Sequence, residues 1–410
     1  MAVSGPDQSP CGYVQGMSAD SASEVGERIA ARRRARRLTQ TQLASAAHVS
    51  YATVRSVERG ARRPSDDVLE ALASALDVDP AQLRTGYTGT ERRVHQALPQ
   101  LSAVIAGYEF RQGPPTRHPD EIADQVSTAE EWRLAAQYGR IGTDIPSLLQ
   151  DTIRYVHAAP AGAQADAARM LASAARTADA IAFKYGAHDL SARLIDLMRW
   201  GADRADDPLV RAAAAYVQTE TFFAARAHVV GLAALERAVD AAPAPTSRLR
   251  AAARGALHMR AAVIAGRAGN ADAADTHLAL ARGLGAKVGR EDTYLGTTFG
   301  PDSVRIHEVS VAVSLGRDHI DRALKVATEW KPPARLPAER RSGFYIELAR
   351  AQEWAGLPSH AFESLKVARA AAPQHTREHP WAREVAASLR RFHRADAESL
   401  THFAEWIGAV

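Results

Sequence analysis

Residues 39–60 carry helix start and stop signals so closely spaced that this segment can form only short helices joined by tight turns. The segment opens with a threonine followed three residues later by a glutamine, which is the spacing of a capping box. We predict one helix over 42–47 and a second over 51–59, which Ser50 caps at its start and Gly60 ends. The two helices are thus separated by a turn of only three or four residues.

Further helices are predicted on both sides of this pair. Before it, Val25 and Ile29 lie four residues apart on one face of a helix. After it, Pro64 begins another helix with an apolar stripe, and residues 80–83 form a final turn. Two short helices joined by a tight turn inside a small all-helical bundle have helix-turn-helix geometry. The predicted fold of this module is a five-helix, all-α bundle.

The predicted bundle contains a specific set of motifs: Leu38-Thr39-Gln40, Leu43-Ala44, Val49-Ser50, Val57-Glu58-Arg59-Gly60 and Arg63-Pro64-Ser65. These residues and their spacing resemble the Xre/Cro/phage-repressor family of DNA-binding domains. The resemblance covers residues 24–84, about a fifth of the chain. One departure is His48, where the family usually has glycine in a left-handed turn. Histidine is among the side chains that tolerate this conformation, so we expect the turn to be kept.

The resemblance also implies where double-stranded DNA would be contacted. Five residues at the start of the second short helix would address base edges or flanking phosphates: Ser50, Tyr51, Ala52, Arg55 and Ser56. Two glutamines that open the first short helix would lie near phosphate: Gln40 and Gln42. Outward-facing arginines are further candidates for phosphate contacts: Arg32, Arg36, Arg59, Arg62 and Arg63.

Arg33 has a different expected role. It lies four residues after Ile29 and eight after Val25, so it points into the bundle. A buried guanidinium requires a paired carboxylate, and Glu58 is the only acid close by. A matching arginine–glutamate pair is common in the family that the module resembles. We therefore predict a structural ion pair and exclude Arg33 from the DNA contacts.

Charge is distributed unevenly along the chain. Residues 25–63 carry a net charge of +8, and since the whole chain carries +4, the remainder carries −4. A basic module joined to a mildly acidic body suggests that a polyanion binds the first part only. A solvated arginine face on a long helix would give the same charge pattern, so charge alone does not decide between the two.

The remaining chain is predicted to contain three further parts. Residues 1–23, rich in Ser, Gly, Asp and Pro, form a disordered tail. Residues 85–120 form a linker in which two Gly/Pro-rich stretches flank a helix that could move as a lever. Residues 121–410 form a helical repeat domain for sensing, dimerisation or both.

Recurring glycines suggest how the body is built. Small residues and a proline follow several of them, as stacked helical hairpins require. The pattern resembles tetratricopeptide repeats with a lengthened period and, together with Phe299-Gly300-Pro301, the body of a group of regulators from GC-rich bacteria. We predict an α-solenoid whose aromatic residues are mostly core, with a few lining a groove. The glycines expected to mark turns are Gly186, Gly231, Gly269, Gly316 and Gly356.

Several other functions are not supported by the sequence. The sequence His375-x-x-Glu378-His379 matches a zinc-hydrolase motif, which requires one continuous helix. Prolines lie on both sides of it and disfavour such a helix, so we expect a loop between repeats and no metal. No nucleophile–base pair or nucleotide-binding loop is recognisable. We therefore expect that the protein is not an enzyme and binds no cofactor. The lone Cys11 and the lack of a long apolar run favour a cytoplasmic protein without membrane contact.

The predicted function is that of a sequence-specific transcriptional regulator, dimeric on an inverted repeat. Its helical body would bind a small molecule, a peptide or a protein. Two alternatives stay open on the sequence. The first is an interaction scaffold whose N-terminal module no longer contacts bases, since Tyr51 and Ala52 replace long polar side chains. The second is an antitoxin whose body neutralises a partner protein.

Overall fold

The structure is a computed structural model in which the chain divides into two compact units, residues 1–92 and 93–410. The residues that it describes are 22–78, 80–85, 89–392 and 397–409. The predicted disordered tail lies outside them up to residue 21, and the first helix begins at Ala22. Within the described residues, no helix is both long and apolar enough to cross a membrane.

The N-terminal unit is a bundle of five helices, as predicted. Side-chain caps define the two short helices: Thr39 forms a complete capping box with Gln42, and the Ser50 hydroxyl accepts from the Thr53 amide at 3.0 Å. The left-handed Gly60, at φ +68°, follows the second of them. The helices are α1 (Ala22–Ala35), α2 (Gln40–Ala46), α3 (Tyr51–Glu58), α4 (Asp66–Ala75) and α5 (Pro80–Thr85).

This unit has its own apolar core, to which all five helices contribute residues such as Ile29, Leu43, Val54, Leu72 and Leu83. Helices α1 and α3 approach each other unusually closely. A Cβ added to Gly26 of α1 would lie 2.1 Å from the backbone oxygen of Val57, so only glycine fits at this crossing. Helix α3 is therefore packed closely against α1.

The second unit is an array of helices, which we call the body. Consecutive helices pair across short turns, and the pairs α9–α10, α13–α14 and α17–α18 pack extensively. The helices are α6 (Gly89–Val104), α7 (Pro119–Leu134), α8 (Tyr138–Ala158), α9 (Gln164–Lys184), α10 (His188–Ala205), α11 (Pro208–Ala224), α12 (His228–Ala241), α13 (Arg248–Arg267), α14 (Ala271–Val288), α15 (Pro301–Leu315), α16 (Ile320–Glu329), α17 (Ala338–Trp354), α18 (Pro358–Ala371), α19 (Pro373–Glu378), α20 (Pro380–Phe392) and α21 (Ala397–Ile407).

The α-solenoid prediction is confirmed for this body, but one of its turns was misplaced. Gly231 lies inside α12, where an added Cβ would be 2.4 Å from the Ile264 Cδ1 atom, so it permits close helix packing. The turn before α12 instead contains Arg226 at φ +54°. Another turn places Ala136 at φ +55°. Turns made by residues other than glycine are invisible to a search for glycine periodicity.

A β-hairpin interrupts the helical array and was not predicted. Strands β1 (Asp292–Tyr294) and β2 (Thr297–Phe299) pair antiparallel, and the two turn residues, Leu295 and Gly296, both have positive φ. Strand β2 is buried along its whole length. The Phe299 ring packs against Gly255 of α13, where a Cβ would lie 2.0 Å from the ring. The hairpin is thus part of the interior of the body.

The segment predicted to be a linker differs from expectation. The boundary between the units falls after residue 92, within α6, and Val94, Ala97 and Leu101 of this helix are buried in the main core of the body. A Cβ added to Gly142 of α8 would be only 3.2 Å from the Val94 Cα atom. Because these apolar side chains are packed, α6 after residue 92 belongs to the body.

The segment around His375 is also different from the predicted loop. It forms the short helix α19, which begins at Pro373, and a new helix, α20, begins at Pro380. Proline is well tolerated at the first position of a helix, so the two prolines start helices here and do not exclude them. His375 is 3% exposed and therefore faces the interior.

Candidate nucleic-acid interface and a charged cavity in the body

The turn between α2 and α3 has the geometry that the sequence suggested. His48 adopts φ +52°, the left-handed conformation expected at this position. Its amide donates to the Ser45 carbonyl, and the Val49 amide donates to Ala44, which closes the turn. Helix α3 buries Val54 and Val57 and leaves the opposite side accessible.

The predicted base-contacting residues lie along that accessible side. Ser50, Tyr51, Ala52 and Arg55 are exposed, and Tyr51 retains 47% of its surface. Ser56 is only half-exposed, so it is the least available of the five. The hydroxyl of Ser50 is already engaged as the cap of α3. Their assignment to base contacts stays a prediction.

Arg33 and Glu58 form the predicted pair. The Arg33 guanidinium donates from Nε and Nη2 to the two Glu58 oxygens, at 2.7 and 2.9 Å, and the Glu58 side chain is 4% exposed. The hydrogen bond with Glu58 raises the pKa of Arg33. Gln40 also donates to Glu58, at 2.8 Å, so its amide belongs to this cluster.

The side chains proposed for phosphate contacts divide into engaged and available groups. Gln42 accepts from the Thr39 amide, and Arg36 forms an exposed ion pair with Asp77 at 3.0 Å. Arg32 is half-exposed and Arg59 donates to a backbone carbonyl of its own helix. Arg62 and Arg63 are exposed beyond the end of α3, with no side-chain partner among the described residues. Of the candidates, Arg62 and Arg63 are therefore the best placed to donate hydrogen bonds to a phosphate.

The body encloses a second candidate site, which we call the central cavity. It has a volume of about 270 Å³ and is lined by side chains from seven helices and from the β-hairpin. Six cations, four carboxylic acids and three histidines face it. The cations are Arg133, Lys184, Arg176, Arg260, Arg267 and Arg340.

Four of these arginines have no carboxylate oxygen within 4.0 Å among the described residues; they are Arg133, Arg176, Arg267 and Arg340. The other two cations are paired: Lys184 lies 2.9 Å from Glu339, and Arg260 lies 3.6 Å from Glu220. Burial and the neighbouring Arg133 lower the pKa of Arg176 to about 9, so it stays charged at neutral pH. The cavity wall therefore carries more positive than negative charge.

The acids of the cavity strengthen this imbalance. Burial raises the pKa of Glu347 to about 7, and burial together with the charge of Glu220 raises the pKa of Asp179 well above its usual value. In contrast, burial raises the pKa of Glu339, but Lys184 and further neighbours such as Arg133 together outweigh it and lower this pKa to about 2. Glu339, which is paired with Lys184, therefore stays ionised near pH 7.

Two of the arginines hold the tip of the β-hairpin. Arg133 donates to the Gly296 carbonyl at 2.9 Å, and Arg176 donates to the Leu295 carbonyl at 2.6 Å and to the Thr297 hydroxyl at 2.7 Å. A Cβ on Gly296 would lie 2.8 Å from the Arg133 Nη2 atom. These hydrogen bonds satisfy the tip carbonyls and fix the hairpin at the edge of the cavity.

The buried histidines are neutral and do not assemble a metal site. Burial lowers the pKa of His307 and of His375 to about 3. Elsewhere in the body, His258 and His277 face each other with their Nδ1 atoms 3.0 Å apart. Within the described residues no three His, Cys, Asp or Glu side chains are arranged to hold a metal ion.

The cavity was missed by the sequence analysis. A few aromatic residues were expected to line a groove, and Tyr216 does line the cavity, as does the buried His307. The polar signal was present on α13, where Arg260 and Arg267 lie seven residues apart in an otherwise apolar run. Two charges on the buried face of a helix need an explanation, but sequence periodicity does not reveal what they face.

Comparison with known proteins identifies the N-terminal unit. Residues 29–83 match the helix-turn-helix family model. A stretch of 54 residues of the chain is 46% identical to the immunity repressor protein of Bacillus phage phi105. The match covers 13% of this chain and 38% of the phage protein, so the chain spans less than two fifths of that relative.

Two solved structures are similar over longer stretches, but weakly. One is the Bacillus thuringiensis PlcR in complex with the peptide PapR7 and DNA: identity is 14%, coverage is 65% of this chain and 96% of PlcR, and the TM-score is 0.27. The other is the apo form of the competence regulator ComR from Streptococcus vestibularis: identity is 12%, coverage is 94% and 97%, and the TM-score is 0.22. These likenesses are too low to locate a site.

Proposed function

We propose that this chain is a sequence-specific DNA-binding regulator of transcription. The observation that carries the proposal is the exposed side of α3, with Tyr51 and Arg55 on it and Arg62 just beyond it, in a unit that matches the helix-turn-helix model. A helix of this kind enters the major groove, where arginine can pair with guanine through two hydrogen bonds. Arginines beyond the helix would anchor the phosphate backbone.

The protein is proposed to bind as a homodimer on an inverted repeat. A single module of this size buries too little surface for specific binding at cellular salt, and two modules one helical turn apart, about 34 Å, solve that. The subunit contacts would come from the body. Light scattering of the purified chain with and without DNA tests the stoichiometry, and a mass that stays monomeric in both contradicts a dimer.

The body is proposed to bind an effector that alters DNA affinity. The central cavity supports this, because buried charges without carboxylate partners are costly unless a ligand compensates them. An effector acts only by favouring one of two arrangements, and a tenfold change in DNA affinity requires about 1.4 kcal/mol of coupling.

Sequencing of genomic fragments that the full chain retains tests the DNA-binding function. We expect enrichment of one inverted-repeat motif by the wild type, and loss of that enrichment with Arg55→Ala. The matched control is Glu70→Ala, which changes an exposed residue of α4 and should keep the motif. Equal retention of all fragments, or of none, would instead favour a scaffold whose N-terminal module does not distinguish sequences.

A further inference from the structure

The central cavity contains buried arginine groups whose hydrogen-bonding capacity the protein satisfies only in part. The Nε atoms of Arg133, Arg260 and Arg267 are buried and have no hydrogen-bond partner among the described residues. A buried donor without a partner destabilises the folded protein, and more so when it is charged. Such groups persist in a folded protein when something else satisfies them.

Arg267 is held in a defined orientation by aromatic rings. Its guanidinium carbon lies 4.4 Å from the centroid of Phe223 and 5.1 Å from that of Trp381. Burial lowers its pKa. Aromatic rings interact with the face of a guanidinium, so they fix its plane and leave its N–H edge free to donate.

Arg260 and Arg340 are oriented around one tyrosine. Arg260 lies 4.5 Å from the Tyr216 ring centroid, and Arg340 donates to the Tyr216 hydroxyl at 2.9 Å. Arg260 also stacks on Phe223, at 5.7 Å, which it therefore shares with Arg267. Three guanidinium groups are thus positioned by aromatic contacts around one enclosed space.

We infer that the central cavity binds a small organic anion through phosphate or carboxylate oxygens, with Arg260, Arg267 and Arg340 as its principal donors. Guanidinium groups match the paired oxygens of both anions, and burial of the donors strengthens such hydrogen bonds. The volume of about 270 Å³ lies just below the usual range for ligand sites, roughly 300–1,000 Å³, which favours a metabolite-sized molecule.

This inference deepens the proposed function, since it gives the chemical class of the effector. It does not depend on DNA binding, and the two can therefore fail separately. If the chain binds an anion but no DNA motif, the regulatory role is wrong and the site stands. If it binds a DNA motif but no anion, the site is wrong and the DNA-binding role stands.

Isothermal calorimetry of the full chain in Hepes buffer, with pyrophosphate and citrate as separate probes, tests the site. We expect saturable one-to-one binding of at least one probe, with a dissociation constant below about 1 mM, beyond any heat from sodium chloride at equal ionic strength. Binding of pyrophosphate alone identifies a phosphate ligand, and binding of citrate alone identifies a carboxylate. No saturable binding of either probe overturns the inference.

Substitutions of Arg267 test whether the probe binds in the central cavity. Arg267→Gln should lower the affinity for the probe at least tenfold. Arg237→Gln, a substitution of an exposed residue on α12, should leave the affinity unchanged. Arg267→Lys keeps the charge but loses the fork of donors, so we expect an intermediate loss, and this variant serves if the glutamine variant does not fold. Wild-type affinity in both Arg267 variants would overturn the site even if the probe binds.

Discussion

The two units use arginine in opposite ways. In the N-terminal unit Arg55, Arg59, Arg62 and Arg63 face solvent, and the inward Arg33 has a bidentate carboxylate. In the body, arginines are turned inward around a cavity, and four of the five that line it have no carboxylate within 4.0 Å in the described part of the chain. An outward cation can meet an external polyanion without desolvation, whereas an inward one requires a resident or incoming partner.

The difference also shows how little net charge says about a site. The chain outside residues 25–63 carries −4, yet the cavity that it builds is surrounded by excess positive charge. Several acids of the body instead pair with arginines on the surface, such as Asp275 with Arg322 at 2.8 Å. A bound ligand interacts mainly with the charges that line its own cavity, because solvent screens buried charges much less than exposed ones.

The largest expected effect on stability comes from breaking the ion pair between Arg33 and Glu58 in the first unit. Arg33→Met leaves Glu58 buried without its main partner, which should cost about 3–5 kcal/mol in the free energy of unfolding. The double variant Arg33→Met/Glu58→Leu should recover most of this loss. Urea unfolding of a fragment spanning residues 20–85 measures both, with the exposed Arg34→Met as a control. If the stability lost in the double variant equals the sum of the losses in the two single variants, the two side chains are not coupled.

The second prediction concerns the pH dependence of the body. Glu347 has a folded pKa of about 7 against 4.5 unfolded, so the folded state holds its proton more tightly. Its stabilising contribution is present below pH 4.5 and is lost as the pH rises through 7. Relative to Glu347→Gln, the wild type should therefore lose about 2–3 kcal/mol between pH 5 and pH 8.

Calorimetric unfolding of the full chain at several pH values measures this difference. The control is Glu131→Gln, an exposed change on α7 that should run parallel to the wild type. Parallel curves for the Glu347 variant as well would show that this carboxyl titrates normally. In that case the cavity would be less positive at neutral pH than its geometry implies.

The third prediction tests the contact between the hairpin tip and the inward arginines. Gly296→Ala places a Cβ 2.8 Å from Arg133 at φ +71°, so it should destabilise the body by about 1–3 kcal/mol. Gly283→Ala is the matched control: it lies in α14 with no atom near its Cβ, and alanine there should be neutral or stabilising by up to about 1 kcal/mol. Equal melting temperatures would mean that the tip is not held as described.

The smallest effects are expected in DNA affinity. Arg55→Ala should cost about 1–3 kcal/mol on the selected sequence and relax preference at one base pair. Arg62→Ala should weaken all sequences alike and reduce the slope of log affinity against log salt by about 1. Fluorescence anisotropy with the selected duplex and a scrambled one separates the two. Uniform losses in both variants would contradict the division between base contact and phosphate anchoring.

Local sequence signals were sufficient for most of the first unit. The capping box at Thr39, the cap at Ser50 and the stop at Gly60 each act within a few residues, so their outcome hardly depends on distant contacts. Helical spacing also predicted that Arg33 points into the bundle, and its partner there is Glu58, the nearby acid that was expected. The role of Gln40 was less predictable, because its donation to Glu58 depends on how α2 and α3 cross.

In the body, the sequence determined that the chain would be helical and repetitive, and the tertiary structure decided the rest. Left-handed turns at Ala136 and Arg226, and the packing role of Gly231, depend on neighbouring helices. The cavity joins Arg133, Arg260 and side chains from five other helices, and no local pattern relates positions so far apart in the chain. Whether an inward charge meets a carboxylate, a carbonyl or an open space is decided only when the helices stack, because its energy depends on burial and on partners brought together by the fold.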